Sequence, residues 1–195
     1  RGASIIDGTG APAVPADVLI EDGRVRDVVG RAGASCAGNA DRDIDCAGLI
    51  ICPGFIDLHS HGDLIHTLPP ARQRALMQGR LAQGITTEIV GNCGLGVFPV
   101  AATEAGVALQ RAVIQWMTPE EAADWPDGGW ADLAGYLLRL EHAGTWANVG
   151  ALQPHGPLRM SACGLDAGEP SPDQRLMMAR DLDRALDAGA FGLST

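Results

Sequence analysis

The stretch Gly54–Asp63, GFIDLHSHGD, places two histidines two residues apart at the end of an apolar run. The run GFIDLH is typical of a β-strand, on which successive side chains point to opposite faces of the sheet. Asp57, His59 and His61 would then share one face, whereas histidines on one face of a helix would be three or four residues apart. A single histidine is more often a packed side chain than a ligand. Two histidines at this spacing, following a carboxylate residue, indicate a metal site.

The sequence around this stretch changes its pattern at Pro53. Residues 1–52 hold short β-like segments, with an Asp22–Gly23 turn that predicts a hairpin and a second hairpin-like segment at 41–54. After Pro53, strand-like and helix-like segments alternate, which predicts an α/β fold of parallel units with the strand ends at one edge. The predicted strands are 54–59, 85–94, 146–156 and 190–195, and the predicted helices are 69–84, 131–144 and 171–189.

The segment 171–189 is the strongest helix prediction in the chain. Ser171 can accept hydrogen bonds from the free amides of the first turn, Pro172 suits the first helical position, and Gly189 can end the helix. Four apolar residues recur at the spacing of one buried face: Met178, Leu182, Ala185 and Leu186.

Two further candidates stand at the ends of predicted strands. Cys93, in EIVGNCGLG, lies between Gly91 and Gly94, which allow a tight turn and a close backbone approach. A cysteine in that setting suits a site better than a core. His155, in NVGALQPHGPLR, is either an ordinary loop histidine or a residue near a metal or substrate. The remaining cysteines are expected to pack as small apolar side chains: Cys36, Cys46, Cys52 and Cys163.

Composition argues against several classes of partner. The chain has 195 residues and a net charge of −10, and it contains no basic cluster, so nucleic acid and anionic membranes are not expected partners. Five cysteines form an odd number without a C-x-x-C pair, which fits neither a disulfide framework nor a zinc ribbon. No apolar run reaches the ~18 residues of a membrane span. We therefore expect a cytoplasmic protein.

Four motifs together carry a family resemblance. PGFIDLHSHGD at 53–63, GITTEIVGNCGLG at 84–96, NVGALQPHGPLR at 148–159 and GAFGLST at 189–195 resemble, in order and approximate spacing, the amidohydrolase superfamily. The GNCG motif resembles specifically its N-acyl-D-amino-acid deacylase (D-aminoacylase) branch, whereas the first motif is shared with dihydroorotases and hydantoinases. The opening residues 1–30 look like the leading β-sandwich segment of that family.

The resemblance implies an amidohydrolase-type (β/α)8 barrel, with about the first four β/α units in residues 53–195. Residues 1–52 would form the N-terminal part of a small β-sandwich domain. The implied activity is zinc-dependent hydrolysis of the amide bond of small-molecule N-acyl-D-amino acids.

By the same resemblance, His59, His61 and Cys93 would bind Zn²⁺, although it is left open which of two metals the histidines serve. Zinc suits a mixture of imidazole and thiolate ligands. The residues that would orient these ligands or face the substrate are Asp57, Asp63, Asn92 and His155.

The family's remaining ligands and its general base are expected beyond Thr195. About 140 residues follow Pro53, whereas such a barrel typically needs ~250 residues. We therefore expect a fragment that is inactive alone, binds zinc weakly and tends to aggregate. Two alternatives remain: a cyclic-amide hydrolase of the dihydroorotase or hydantoinase type, and a non-catalytic scaffold or one chain of a split enzyme. The sequence does not indicate the oligomeric state.

Overall fold

The protein is described here by a computed structural model that covers residues 1–30, 40–117 and 129–195. The chain divides into two compact units, Arg1–Gly54 and Phe55–Thr195. Cys36 lies outside the described residues. In the described part of the chain, none of the helices combines the length and the apolar character that a membrane crossing requires.

The first unit contains a four-stranded sheet with the strand order β3-β2-β1-β4. Its strands are β1 (Ala3–Ile5), β2 (Val14–Glu21), β3 (Arg24–Gly30) and β4 (Ile50–Ile51). Asp22 and Gly23, which join β2 to β3, have φ angles of 51° and 72°. Positive φ at both positions produces the tight turn whose twist matches paired antiparallel strands, so the predicted hairpin is confirmed.

The second hairpin-like prediction, at 41–54, is wrong. Only Ile50–Ile51 forms a strand there, and it pairs in parallel with β1. The reason is a turn just before it, in which Gly48 takes a φ of 78° and the Leu49 amide donates to the Cys46 carbonyl. That turn directs the chain along β1 rather than back along its own preceding residues. Cys52, expected to pack as a small apolar side chain, is exposed.

The second unit is an α/β structure. Its elements are β5 (Phe55–Asp57), α1 (Pro70–Ala82), β6 (Ile85–Val90), α2 (Glu104–Met117), α3 (Leu133–Ala143), β7 (Asn148–Ala151), β8 (Gln153–Pro154), α4 (His155–Cys163), α5 (Pro172–Asp187) and β9 (Leu193–Ser194). Strands β5, β6 and β7 pair in parallel in that order, and β8 pairs in parallel with β9. Leu152, between β7 and β8, still donates its amide to Val90 of β6. The predicted α/β class is confirmed.

Some element boundaries differ from the predictions. Strand β5 ends at Asp57, so His59 and His61 lie in the irregular segment that follows it. Helix α4 begins at His155, at the end of the third predicted strand, and neither α2 nor α4 was predicted. Pro157 lies in the first turn of α4, where a missing amide hydrogen costs nothing because those amides have no helical partner.

The core of the second unit packs against the segment that follows the two histidines. Tyr136 of α3 is fully buried, with its ring centroid 4.8 Å from that of Phe98 and 5.7 Å from that of Trp130. Its hydroxyl donates a 2.7 Å hydrogen bond to the main-chain carbonyl of Asp63. The aromatic cluster therefore fixes one end of the histidine segment.

Helix α5 begins with a capping box. The Ser171 hydroxyl accepts from the Gln174 amide, and the Gln174 side chain accepts from the Ser171 amide. Ala185 is buried on the predicted inner face, but Leu186 is 43% exposed. The predicted cap is thus confirmed. The buried face of the helix is narrower than predicted, because it does not include Leu186.

Replacing the cap should destabilise the chain measurably. We expect Ser171→Ala to lower the free energy of unfolding by about 1 kcal/mol, because the Gln174 amide loses its acceptor. Ser171→Asp is the control, since aspartate accepts the same bond and should preserve stability. Urea unfolding followed by circular dichroism measures both variants, and equal losses in the two would contradict a capping role.

Candidate metal centre

Three side chains predicted as ligands come together at the ends of β5 and β6. Parallel pairing aligns Asp57 with Glu88, so the segments that leave the two strands begin side by side. One potential ligand atom from each of His59, His61 and Cys93 lies within 4.8 Å of the others. The His59 Nε2 atom is 3.1 Å from the Cys93 sulfur, and the two imidazole centroids are 5.5 Å apart.

The backbone around Cys93 explains why glycines flank it. Cys93 has a φ of 57°, and Gly91 and Gly94 also have positive φ angles, of 77° and 65°. A side-chain carbon on Gly91 would lie 2.2 Å from the carbonyl oxygen of Leu152. The loop therefore presses directly against the residue that joins β7 to β8. The Cys93 side chain is exposed beside His59.

His61 has the electronic properties of a metal ligand. Burial lowers the pKa of its imidazole, and the neighbouring His59 lowers it further. A lowered pKa keeps the ring neutral, so that a nitrogen lone pair is available. Its Nδ1 atom is buried and has no hydrogen-bond partner among the described residues. Two imidazoles and one thiol form a donor set that suits zinc.

Asp57 and Asn92 hold the main chain of the two ligand segments. The Asp57 carboxylate accepts a 3.1 Å hydrogen bond from the His59 amide. The Asn92 side chain donates to the carbonyls of Ile89, at 2.8 Å, and Ser60, at 3.4 Å. Both contacts reach backbone atoms, so these residues shape the segments that carry the ligands.

Asp63 is a buried carboxyl group two residues after His61. One oxygen accepts a 3.2 Å bond from the Gly91 amide, while the other has no partner among the described residues. Burial raises the pKa of Asp63 to about 7, and the negative charge of Glu88 acts in the same direction. The group therefore links the histidine segment to the loop that carries Cys93.

His155 lies beside the cysteine loop but outside the three-residue cluster. It is half-buried as the first residue of α4, and the next residue, Gly156, donates its amide to the Gly94 carbonyl at 2.9 Å. The structure thus brings His59, His61 and Cys93 together and places His155 on the neighbouring element.

Sequence reasoning missed a buried polar network directly behind the cluster. The Glu88 side chain of β6 is fully buried and accepts hydrogen bonds from Ser60 at 2.9 Å, His66 at 3.0 Å and Arg80 at 3.2 Å. Burial alone would raise the Glu88 pKa, but the His66 hydrogen bond and the Arg80 charge, with Ser60, outweigh it and lower the pKa. An acidic residue inside a strand of a parallel sheet, usually an apolar position, was the available signal.

The Glu88 network should make stability depend on acid. Its ordinary pKa is 4.5 and its folded pKa is lower, so its stabilisation is present above about pH 4.5 and is lost as the pH falls below it. We expect Glu88→Gln to cost roughly 1–3 kcal/mol at neutral pH, because its buried partners lose a charged acceptor. The free energy of unfolding of Glu88→Gln should also fall less steeply than that of the wild type as the pH is lowered.

Urea unfolding at a series of pH values measures this effect. Glu141→Gln, at an exposed position on α3, is the matched control and should keep the wild-type slope. A Glu88→Gln chain with that same slope would show that Glu88 is not held in its charged form.

The contact between Gly91 and the Leu152 carbonyl should be sensitive to one methyl group. Gly144→Ala, where φ is 71° and nothing lies within 4 Å, should cost only the backbone strain of a positive φ, roughly 1–3 kcal/mol. Gly91→Ala adds a clash with Leu152 and should cost clearly more. Thermal unfolding compares the two variants, and equal costs would mean that the approach to Leu152 is not tight.

Comparisons with known proteins identify relatives along the whole chain. No protein-family model matches the chain. The N-acyl-D-glutamate deacylase of Alcaligenes xylosoxydans xylosoxydans is 37% identical over 195 residues, which are 100% of this chain and 36% of that protein. The D-aminoacylase of the same organism is 29% identical, over 100% of this chain and 36% of its own.

Solved structures of a deacylase and a D-aminoacylase are also similar to the chain. The N-acyl-D-glutamate deacylase of Bordetella bronchiseptica, complexed with zinc and a phosphonate mimic of the tetrahedral intermediate, matches with a TM-score of 0.79 and 34% identity. A D-aminoacylase with a binuclear metal centre also gives a TM-score of 0.79, at 30% identity. Each match covers 100% of this chain and 37% of the other, so the chain spans slightly more than a third of these relatives. Over its whole length the chain is thus a homologue of the D-aminoacylase branch of the amidohydrolases.

Proposed function

We propose that this chain contributes His59, His61 and Cys93 to the zinc centre of an enzyme that hydrolyses the amide bond of N-acyl-D-amino acids. The observation that carries the proposal is the approach of these three potential ligand atoms to within 4.8 Å of one another. Support comes from the relative of known structure that is complexed with zinc and with a mimic of a tetrahedral intermediate.

The proposed fold is the start of a (β/α)8 barrel. In this proposal residues 53–195 supply about four β/α units, and residues 1–52 supply the N-terminal part of a β-sandwich domain. The parallel pairing of β5, β6 and β7 and the separate parallel pair of β8 and β9 support the first assignment. The chemistry would then lie at the carboxyl ends of the strands, where the ligand cluster is found.

The roles of the chain's own residues follow from their contacts. Bound zinc would act as a Lewis acid that polarises the amide carbonyl. Asp57 and Asn92 fix the main chain on either side of the ligands. Asp63 and His155 are proposed to face the ligands or the substrate. The products would be a carboxylate and a free amino acid.

The alternatives differ in the part that Cys93 plays. A dihydroorotase or hydantoinase shares the motif that contains the two histidines, whereas the cysteine resembles the deacylase branch specifically. The matches to deacylases over the whole chain favour the deacylase. An enzyme containing this chain should hydrolyse N-acyl-D-amino acids and not cyclic amides. The reverse preference would favour the alternative, and hydrolysis of neither would favour a scaffold.

We also propose a cytoplasmic location and a small-molecule substrate. Within the described ranges, Cys46, Cys52, Cys93 and Cys163 are free thiols, which suits a reducing compartment. A reducing compartment would also suit a thiolate that binds zinc, because oxidation to a disulfide or a sulfur oxyacid removes the thiolate.

Loss of the cysteine should weaken zinc binding selectively. We expect Cys93→Ser to lower zinc affinity by more than the roughly 10–100-fold that loss of a group orienting a ligand costs. Equilibrium dialysis of the 195-residue chain measures the affinity. Cys52→Ser, at another exposed free thiol, is the matched control and should bind like the wild type. Equal affinities in both variants would contradict a role for Cys93 as a ligand.

A further inference from the structure

Ser60 stands between the two histidines of the proposed metal centre and is more deeply buried than either. Its side chain is buried, whereas His59 is exposed and His61 is half-buried. Fixing Ser60 therefore restricts the backbone of the residues on both sides of it.

Three kinds of contact fix Ser60. Its amide donates to the Ile89 carbonyl at 3.0 Å, and its carbonyl accepts from the Asn92 side chain at 3.4 Å. Its hydroxyl donates to Glu88 at 2.9 Å and accepts from the Gly62 amide at 3.1 Å. The hydroxyl thus holds the backbone at Gly62, the residue after His61. Asn92, the residue before Cys93, is joined to the Ser60 carbonyl.

Glu88 is itself held rigidly enough to serve as an anchor. It lies on β6, aligned with the last residue of β5, and its carboxylate is held by His66 and Arg80 as well as by Ser60. A buried carboxylate with several donors has little freedom to move, because breaking any one bond leaves an unpaired buried group. Ser60 is therefore attached to a fixed point in the sheet.

Gly62 gives independent support for this tight arrangement. A side-chain carbon on Gly62 would lie 2.9 Å from a Glu88 carboxylate oxygen, 3.1 Å from an Arg80 nitrogen and 3.2 Å from the Ser60 hydroxyl. The histidine segment thus passes so close over the carboxylate that a side chain at Gly62 would force these neighbouring side chains to move. The segment and Glu88 are packed as one unit.

We infer that Ser60 and Glu88 are positioning residues, which fix His59 and His61 relative to Cys93 so that the three can bind one metal ion. The inference rests on the proposed zinc centre. It adds that the spacing of the histidines is not sufficient for binding. The buried carboxylate holds the serine, the serine holds the segment, and the segment presents both imidazoles on one side.

Titration with Co²⁺ tests this inference on the 195-residue chain. Cobalt bound by a thiolate absorbs in the near ultraviolet, so the wild type should show this band, and the band should vanish in Cys93→Ser. Ser60→Ala and Glu88→Gln should each weaken Co²⁺ binding by roughly 10–100-fold, as expected for groups that orient ligands. The double variant should lose less than the sum of the two losses in binding free energy, because both act through one hydrogen bond.

Ser161→Ala is the matched control. Its hydroxyl is partly buried and donates to the Leu158 carbonyl at 2.8 Å within α4, so it loses a comparable bond without touching the ligand segment. It should bind Co²⁺ like the wild type. Circular dichroism and thermal unfolding measure folding separately from metal binding in all variants.

The outcomes distinguish a failure of the proposed zinc centre from a failure of the positioning role. A wild-type chain without the thiolate band would overturn the proposed zinc centre. A wild type with the band and a folded Ser60→Ala chain of equal Co²⁺ affinity would overturn the positioning role alone. Loss of the folded spectrum in Ser60→Ala would show a general structural role and would also overturn it. Weaker binding by a folded Ser60→Ala chain, with Ser161→Ala unchanged, is the result that we expect.

Discussion

The parallel pairing of β5 with β6 is the constraint on which the site depends. It aligns Asp57 with Glu88, and the two chain segments that leave these strands then carry His59, His61 and Cys93 into one cluster. Antiparallel pairing would place one strand's end beside the other strand's beginning and would separate the ligands. Each further contact refines an arrangement that this register creates.

The pairing also places a charge in the interior. A buried carboxylate is costly unless its charge and lone pairs are satisfied, and Glu88 meets that requirement through His66, Arg80 and Ser60. The same bonds join the sheet, the helix α1 and the histidine segment. A polar group that would otherwise destabilise the core therefore gives the ligand segment a defined position.

Much of the site could be predicted because its chemistry is local in sequence. The spacing of His59 and His61 and the glycines around Cys93 are visible in short motifs, and the α/β class follows from alternating patterns. The capping box of α5 and the Asp22–Gly23 turn are equally local. Such features depend on neighbouring residues, whose preferences can be judged without knowledge of the fold.

The features that sequence reasoning missed depend on distant partners. The role of Glu88 requires His66 and Ser60, which approach only after β5 and β6 pair, and β4 runs parallel to β1 because of a turn at Gly48. Helix α4 is missed because the predicted strand 146–156 overlaps its first residues. Leu186 has the right helical spacing for burial, but 43% of it remains exposed.

The central claim is that His59, His61 and Cys93 bind one zinc ion, and X-ray absorption spectroscopy of the zinc-loaded chain tests it most directly. The account predicts one sulfur neighbour near 2.3 Å together with nitrogen neighbours near 2.0–2.1 Å that show imidazole scattering. The sulfur contribution should disappear in Cys93→Ser. A zinc shell made only of nitrogen and oxygen in the wild-type chain would contradict the account.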